Sequence, residues 1–147
     1  MKRFRFSLET LLSLKREQEQ EAEIALAKAV GQLNLINKQI EEARGHGEQA
    51  FSVEASSLAA LQIREARWRK SVQDLKNLEE PRRNAESRAA SARAVYTEAR
   101  SQTAAIEKLR EKKHEQWRKA SLREEIDRLD ETAKGAAVRS RLTGGIE

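Results

Sequence analysis

The sequence predicts an all-α protein: a long two-helix antiparallel coiled-coil hairpin whose second helix is longer and kinked near Pro81. Three observations predict it. First, Ala22, Leu26, Ala29, Leu33, Ile36, Ile40 and Ala43 follow one another at steps of 4, 3, 4, 3, 4 and 3. That is a heptad seam, a narrow apolar stripe that another helix must cover. Second, 36% of residues are charged, 4% are aromatic and there is one proline. Long helices have this composition, and a thick globular core does not. Third, Gly45 and Gly47 interrupt the chain after the first seam, where it can turn back on itself.

Each element follows from its residues. Helix one is expected over about 7–44. Ser7 can cap the first free N–H groups, and Glu9 suits the positive end of the helix dipole. Phe6 and Leu11 occupy the two positions of a hydrophobic staple. The frame runs Leu8, Leu12, Lys15, Glu19, Ala22, so two polar intrusions loosen the seam before it tightens at Ala22. Each of Gly45 and Gly47 disfavours helix by roughly 1 kcal/mol, and 47–53 shows no helical frame. The turn is therefore expected over about 45–56, with Ser52, Ser56 or Ser57 as the next cap.

Helix two is expected over about 57–134, with a frame of Leu58, Leu61, Glu65, Trp68, Val72 and Leu75. Pro81 lacks an N–H and crowds the preceding turn, which predicts a kinked continuation. From Ala92 to Thr103 the frame is alanine-rich and weak. A stronger stripe then appears: Ile106, Leu109, Trp117, Leu122, Ile126, Leu129 and Ala133. Gly135 is expected to end the helix, leaving a frayed tail over 135–147.

If the chain folds back about residue 50, residue i of helix one faces roughly residue 101 − i of helix two. Residues beyond about 95 then lack a partner in the hairpin. At 1.5 Å per residue they form an overhang of roughly 50–60 Å. Its apolar residues Ile106, Leu109, Trp117, Leu122, Ile126 and Leu129 form an expected protein contact. A second copy of the chain is the alternative cover, so a homo-oligomer stays open.

Composition and motifs bound the function. There is no cysteine, so disulfides and thiolate metal sites are excluded. The basic start, Met1 to Phe6, is followed by no apolar run, and no stretch approaches the ~20 apolar residues that span a bilayer. A cytoplasmic protein is expected. Phosphate-cradling glycine motifs are absent, and His46 and His114 are too far apart in sequence to pair on a metal. His46 is expected in the turn and His114 on the surface. No residue set suggests catalysis, a cofactor or a small-molecule substrate. Residues 1–80 carry 13 Lys and Arg against 13 Asp and Glu, whereas residues 81–147 carry 16 against 11. The basic excess lies in the second half, but its charges alternate in sign, as surface i,i+4 pairing produces. The run Arg64, Arg67, Arg69, Lys70 lacks aromatic interleaving, so a nucleic-acid-binding coiled coil is the lesser alternative.

Both ends carry a family resemblance. Phe4-Arg-Phe6-Ser-Leu8-Glu-Thr-Leu11-Leu12-Ser-Leu14-Lys15 resembles the N-terminal pattern of FliJ, a coiled-coil component of the flagellar type III export apparatus. Glu107 to Lys113 and Leu129-Asp130-Glu131-Thr132-Ala133 resemble that family's C-terminal segments. The resemblance implies a non-catalytic stalk similar to the γ subunit of rotary ATP synthases. It implies three partners: the hexameric export ATPase, a membrane export gate protein and the chaperones of export substrates. The overhang would enter the ATPase ring. By position, gate contacts would fall on Gln39, Ala43, Trp68, Val72 and Leu75. The chain departs from the family pattern at Ala43, His46 and Ala50, where larger residues are expected. The location implied is peripheral, at the inner-membrane export apparatus. The equivalent stalk of a virulence type III secretion system is the closest alternative.

Overall fold

A computed structural model describes residues 2–52 and 54–145. It contains two helices, α1 (Glu9–Ser52, 44 residues) and α2 (Leu58–Thr143, 86 residues). They form a helical hairpin with the second helix longer. Contacts group the chain into two units: Lys15–Ser101, and Met1–Leu14 with Gln102–Glu147.

Within the 15–101 unit, the inward face of α1 is Glu19, Ala22, Leu26, Ala29, Leu33, Ile36, Ile40, Ala43, Gly47 and Ala50. The heptad spacing continues unbroken through both glycines. This corrects the expected end of helix one at 44 and moves His46 from a turn into the helix. The reason is steric. Gly47 is buried, and a Cβ placed on it would lie 2.5 Å from Ser71 Oγ and 3.3 Å from the Trp68 ring. The hydroxyl of Ser71 sits in that space and donates to the carbonyl of Ala43 at 2.7 Å. Gly47 is thus a close-approach residue of the seam, and its propensity penalty is offset by packing. Gly45 meets nothing within 4 Å.

α1 ends at Ser52, whose hydroxyl donates to Gln49 O at 2.7 Å. α2 is capped by Ser57: its Oγ accepts from the Ala60 N–H at 3.1 Å, and its carbonyl accepts from the Leu61 N–H. The inward face of α2 is not the expected Leu58–Leu61–Glu65 frame. It runs through Arg64, Ser71, Leu75, Leu78, Ala85, Ala89, Ala92, Tyr96 and Ala99, while Leu58, Leu61 and Glu65 are exposed. The alanine-rich stretch after Ala92 takes part in this face, half-buried at Ala92, Tyr96 and Ala99, and the fully buried alanines are Ala85 and Ala89 just before it. Small side chains bury little area each, but they let two helices approach closely, so contact is spread along the seam.

Lengthening helix one moves the register. Glu19 pairs with Arg100 at 2.8 Å, and the Phe51 ring meets Trp68 edge-on at 5.0 Å, so residue i faces residue 119 − i. The Glu19 carboxylate also raises the pKa of Arg100, chiefly through their hydrogen bond. The polar intrusion at Glu19 is answered across the seam by that guanidinium.

α2 runs through Pro81 without interruption. The carbonyl left without its helical partner is that of Asn77, an exposed residue. Gly135 does not end the helix either. Hydroxyls of Thr132, Ser140 and Thr143 bond back to the preceding turn, and the helix continues to Thr143, closing with Gly144 N–H on Ser140 O at 3.0 Å. Of the tail expected to be frayed, 135–143 is helical; Ile146 and Glu147 lie outside the described residues.

Candidate partner surfaces

In the unit formed by 1–14 and 102–147, the N-terminal segment packs on α2. Leu12 is 0% exposed, and Thr103 of α2 is also buried. Glu9 pairs with Arg110 at 3.0 Å. The indole Nε1 of Trp117 donates to Lys2 O at 3.1 Å. Phe4 lies edge-on to His114 at 4.9 Å and tilted to Trp117 at 5.8 Å, with the Arg110 guanidinium 5.9 Å from its ring. Residues 2–6 thus form a clasp over one face of α2.

This clasp corrects the expected overhang. Ile106 and Trp117 are half-buried and Leu109 is barely exposed. Among the described residues, the part of α2 without a covering segment begins near Leu122. From there to Thr143 is roughly 33 Å of helix. Leu122, Ile126 and Leu129 are 58%, 48% and 64% exposed.

These exposed residues are not a continuation of the covered face. The covered positions Thr103, Ile106, Arg110, Trp117 and Ser121 keep the hairpin's spacing. Leu122, Ile126, Leu129 and Ala133 repeat the same spacing shifted by one residue, which turns the stripe about 100° around the helix. On the continued hairpin face, Glu124 and Arg128 form a 2.7 Å ion pair instead. The five-residue step from Trp117 to Leu122 was the sequence signal for this change of face. Hairpin formation and the distal apolar stripe therefore use different sides of α2.

The residues assigned to gate contacts all lie in the 15–101 unit, but they differ in what they expose. Gln39 is exposed. Trp68 is partly exposed and rests on Phe51. Val72 and Leu75 are half-buried, and Ala43 is buried beneath Ser71. Two exposed neighbours lie outside that set: Phe51, expected in the turn, and Ile63. Phe51 meets the Trp68 ring edge-on and has the Arg64 guanidinium over its own ring at 4.6 Å.

Among the described residues, no three side chains cluster as metal ligands, and no helix is long and apolar enough to cross a membrane. The fold therefore defines a class: long helical-hairpin proteins that present faces and ends to other molecules. Within that class, the chain belongs to the FliJ family, because the family model described as flagellar FliJ protein matches residues 4–142. No curated protein and no solved structure gives a match. The family is a non-catalytic component, and membership implies a role in flagellar export and interaction with the export apparatus.

Proposed function

We propose that this chain is the stalk of the flagellar export ATPase: its distal α2 segment enters the ATPase ring and promotes ring assembly and activity. The observation that carries the reading is the stripe of Leu122, Ile126 and Leu129, solvent-exposed and turned away from the hairpin face. Three large apolar side chains on an otherwise charged helix suit a contact made by inserting that helix between subunits. Trp117 then acts indirectly, by holding the N-terminal clasp against α2, and Ile106 and Leu109 lie outside the distal stripe. The surface around Gln39, Trp68, Val72 and Leu75 is the proposed gate contact, and escort of substrate chaperones completes the role. Catalysis stays with the ATPase.

The test is ATPase turnover and hexamer formation by the purified export ATPase, with and without this chain. The intact chain should stimulate both and hydrolyse nothing alone. The variant Leu122→Gln, Ile126→Gln, Leu129→Gln should lose the stimulation while keeping its helicity. Undiminished stimulation by that variant would sink the proposal.

A further inference from the structure

Large exposed apolar side chains gather where the two helices of the 15–101 unit meet. Phe51 lies in the last turn of α1, and Leu58, Leu61 and Ile63 lie in the first turns of α2; Leu58 is 73% exposed. They do not share one face. Ile63 lies about 140° to 160° around the helix from Leu58 and Leu61. A flat protein partner laid on one flank would leave the other flank in water. Insertion of the turn end-on would cover both.

The charges are layered behind this apolar end. Between 51 and 63 the only charged residue is Glu54. The next seven residues hold Arg64, Arg67, Arg69 and Lys70 against Glu65 alone. At 100° per residue these four cations point in four different directions around α2, all within about 9 Å along its axis. Arg69 is paired with Glu65 at 2.6 Å. Arg67 and Lys70 have no carboxylate partner among the described residues. Arg64 lies on the Phe51 ring, with its Nε buried and without a hydrogen-bond partner. Trp68 sits within the same collar, partly exposed.

An apolar end followed by a cationic collar with a tryptophan matches the depth profile of an anionic lipid surface. Apolar groups enter about 5–10 Å to the acyl boundary, and tryptophan and basic groups sit at headgroup level. We infer that the turn of this hairpin inserts end-on into an anionic membrane surface, with Leu58, Leu61 and Ile63 entering the interface and Arg67 and Lys70 meeting lipid phosphates. Glu54 opposes this contact and limits it to reversible, peripheral binding.

The test uses the full chain with vesicles of phosphatidylcholine alone and of phosphatidylcholine with one quarter phosphatidylglycerol. Expected is sedimentation with the anionic vesicles only, weakening as salt rises from 50 to 300 mM. In a Trp117→Phe background, Trp68 emission should shift to the blue on binding. Both Leu58→Gln/Leu61→Gln/Ile63→Gln and Arg67→Glu/Lys70→Glu should weaken partitioning about tenfold or more, and Glu54→Gln should strengthen it. Circular dichroism confirms that each variant remains helical. Equal binding to neutral vesicles, no effect of the apolar variant, or docking of this end to a protein without any vesicle binding would each overturn the inference. ATPase stimulation reports separately on the distal stripe, so failure here leaves that reading intact.

Discussion

The seam of the 15–101 unit and the distal third of α2 invert the usual link between side-chain size and burial. Along the seam the buried residues are small: Ala22, Ala43, Ala50, Ser71, Ala85 and Ala89. Distally the large residues Leu122, Ile126, Leu129, Val138 and Leu142 stand in solvent. Small residues serve where two helices must lie close; large ones remain where no second helix has come. Exposure of a leucine here is therefore a statement about what is missing, whereas burial of an alanine is a statement about helix spacing.

If burial in the hairpin supplies stability and the distal stripe does not, core truncation should give the largest loss. Leu12 is fully buried, so Leu12→Ala should destabilise by about 2–4 kcal/mol, combining lost transfer energy with a residual cavity. Urea unfolding followed by circular dichroism would measure it. A loss under about 1 kcal/mol would mean that the N-terminal segment contributes little to the cooperative fold.

Pro81 tests the helix that both regions share. Its ring removes one backbone bond at an exposed position, so Pro81→Ala should stabilise by about 1–3 kcal/mol. No gain would indicate that the Asn77 carbonyl loses nothing by lacking its helical donor. The two glycines then sharpen the seam side of the comparison. Gly47→Ala must displace Ser71 Oγ and disturb its bond to Ala43 O, and should destabilise by about 1–3 kcal/mol. Gly45→Ala fills open space in a helix and should stabilise by up to about 1 kcal/mol. Opposite signs two residues apart would separate packing from propensity; equal signs would refute the close-approach account.

Those glycines also mark where reading from sequence stopped. The heptad of Ala22 to Ala43 is repeated locally and needs no knowledge of its partner, so the fold class was legible. The turn was not, because propensity treats every glycine as a breaker, while Gly47 is kept helical by what lies across from it. That one error of about eight residues moved the register from 101 − i to 119 − i and exaggerated the overhang. Leu122, Ile126 and Leu129 were legible as an apolar repeat. Ile106 and Trp117 share their spacing class, and only the five-residue step from Trp117 to Leu122 separates the two faces. The clasp of Phe4 on His114 and Trp117 joins residues more than 100 positions apart, which no local pattern contains.

The smallest expected effect on stability falls at the distal stripe, and it is the one that separates the two regions most cleanly. Leu122→Gln, Ile126→Gln and Leu129→Gln replace exposed residues with a good helix former, so together they should shift unfolding by no more than about 0.5 kcal/mol. Solubility should rise, because a patch of three large apolar side chains disappears. If the variant instead unfolds as readily as Leu12→Ala, the stripe is covered in solution, either by another copy of the chain or by a contact of its own. Analytical ultracentrifugation at two concentrations distinguishes these outcomes. A monomer with unchanged stability leaves the stripe free for a partner outside the chain.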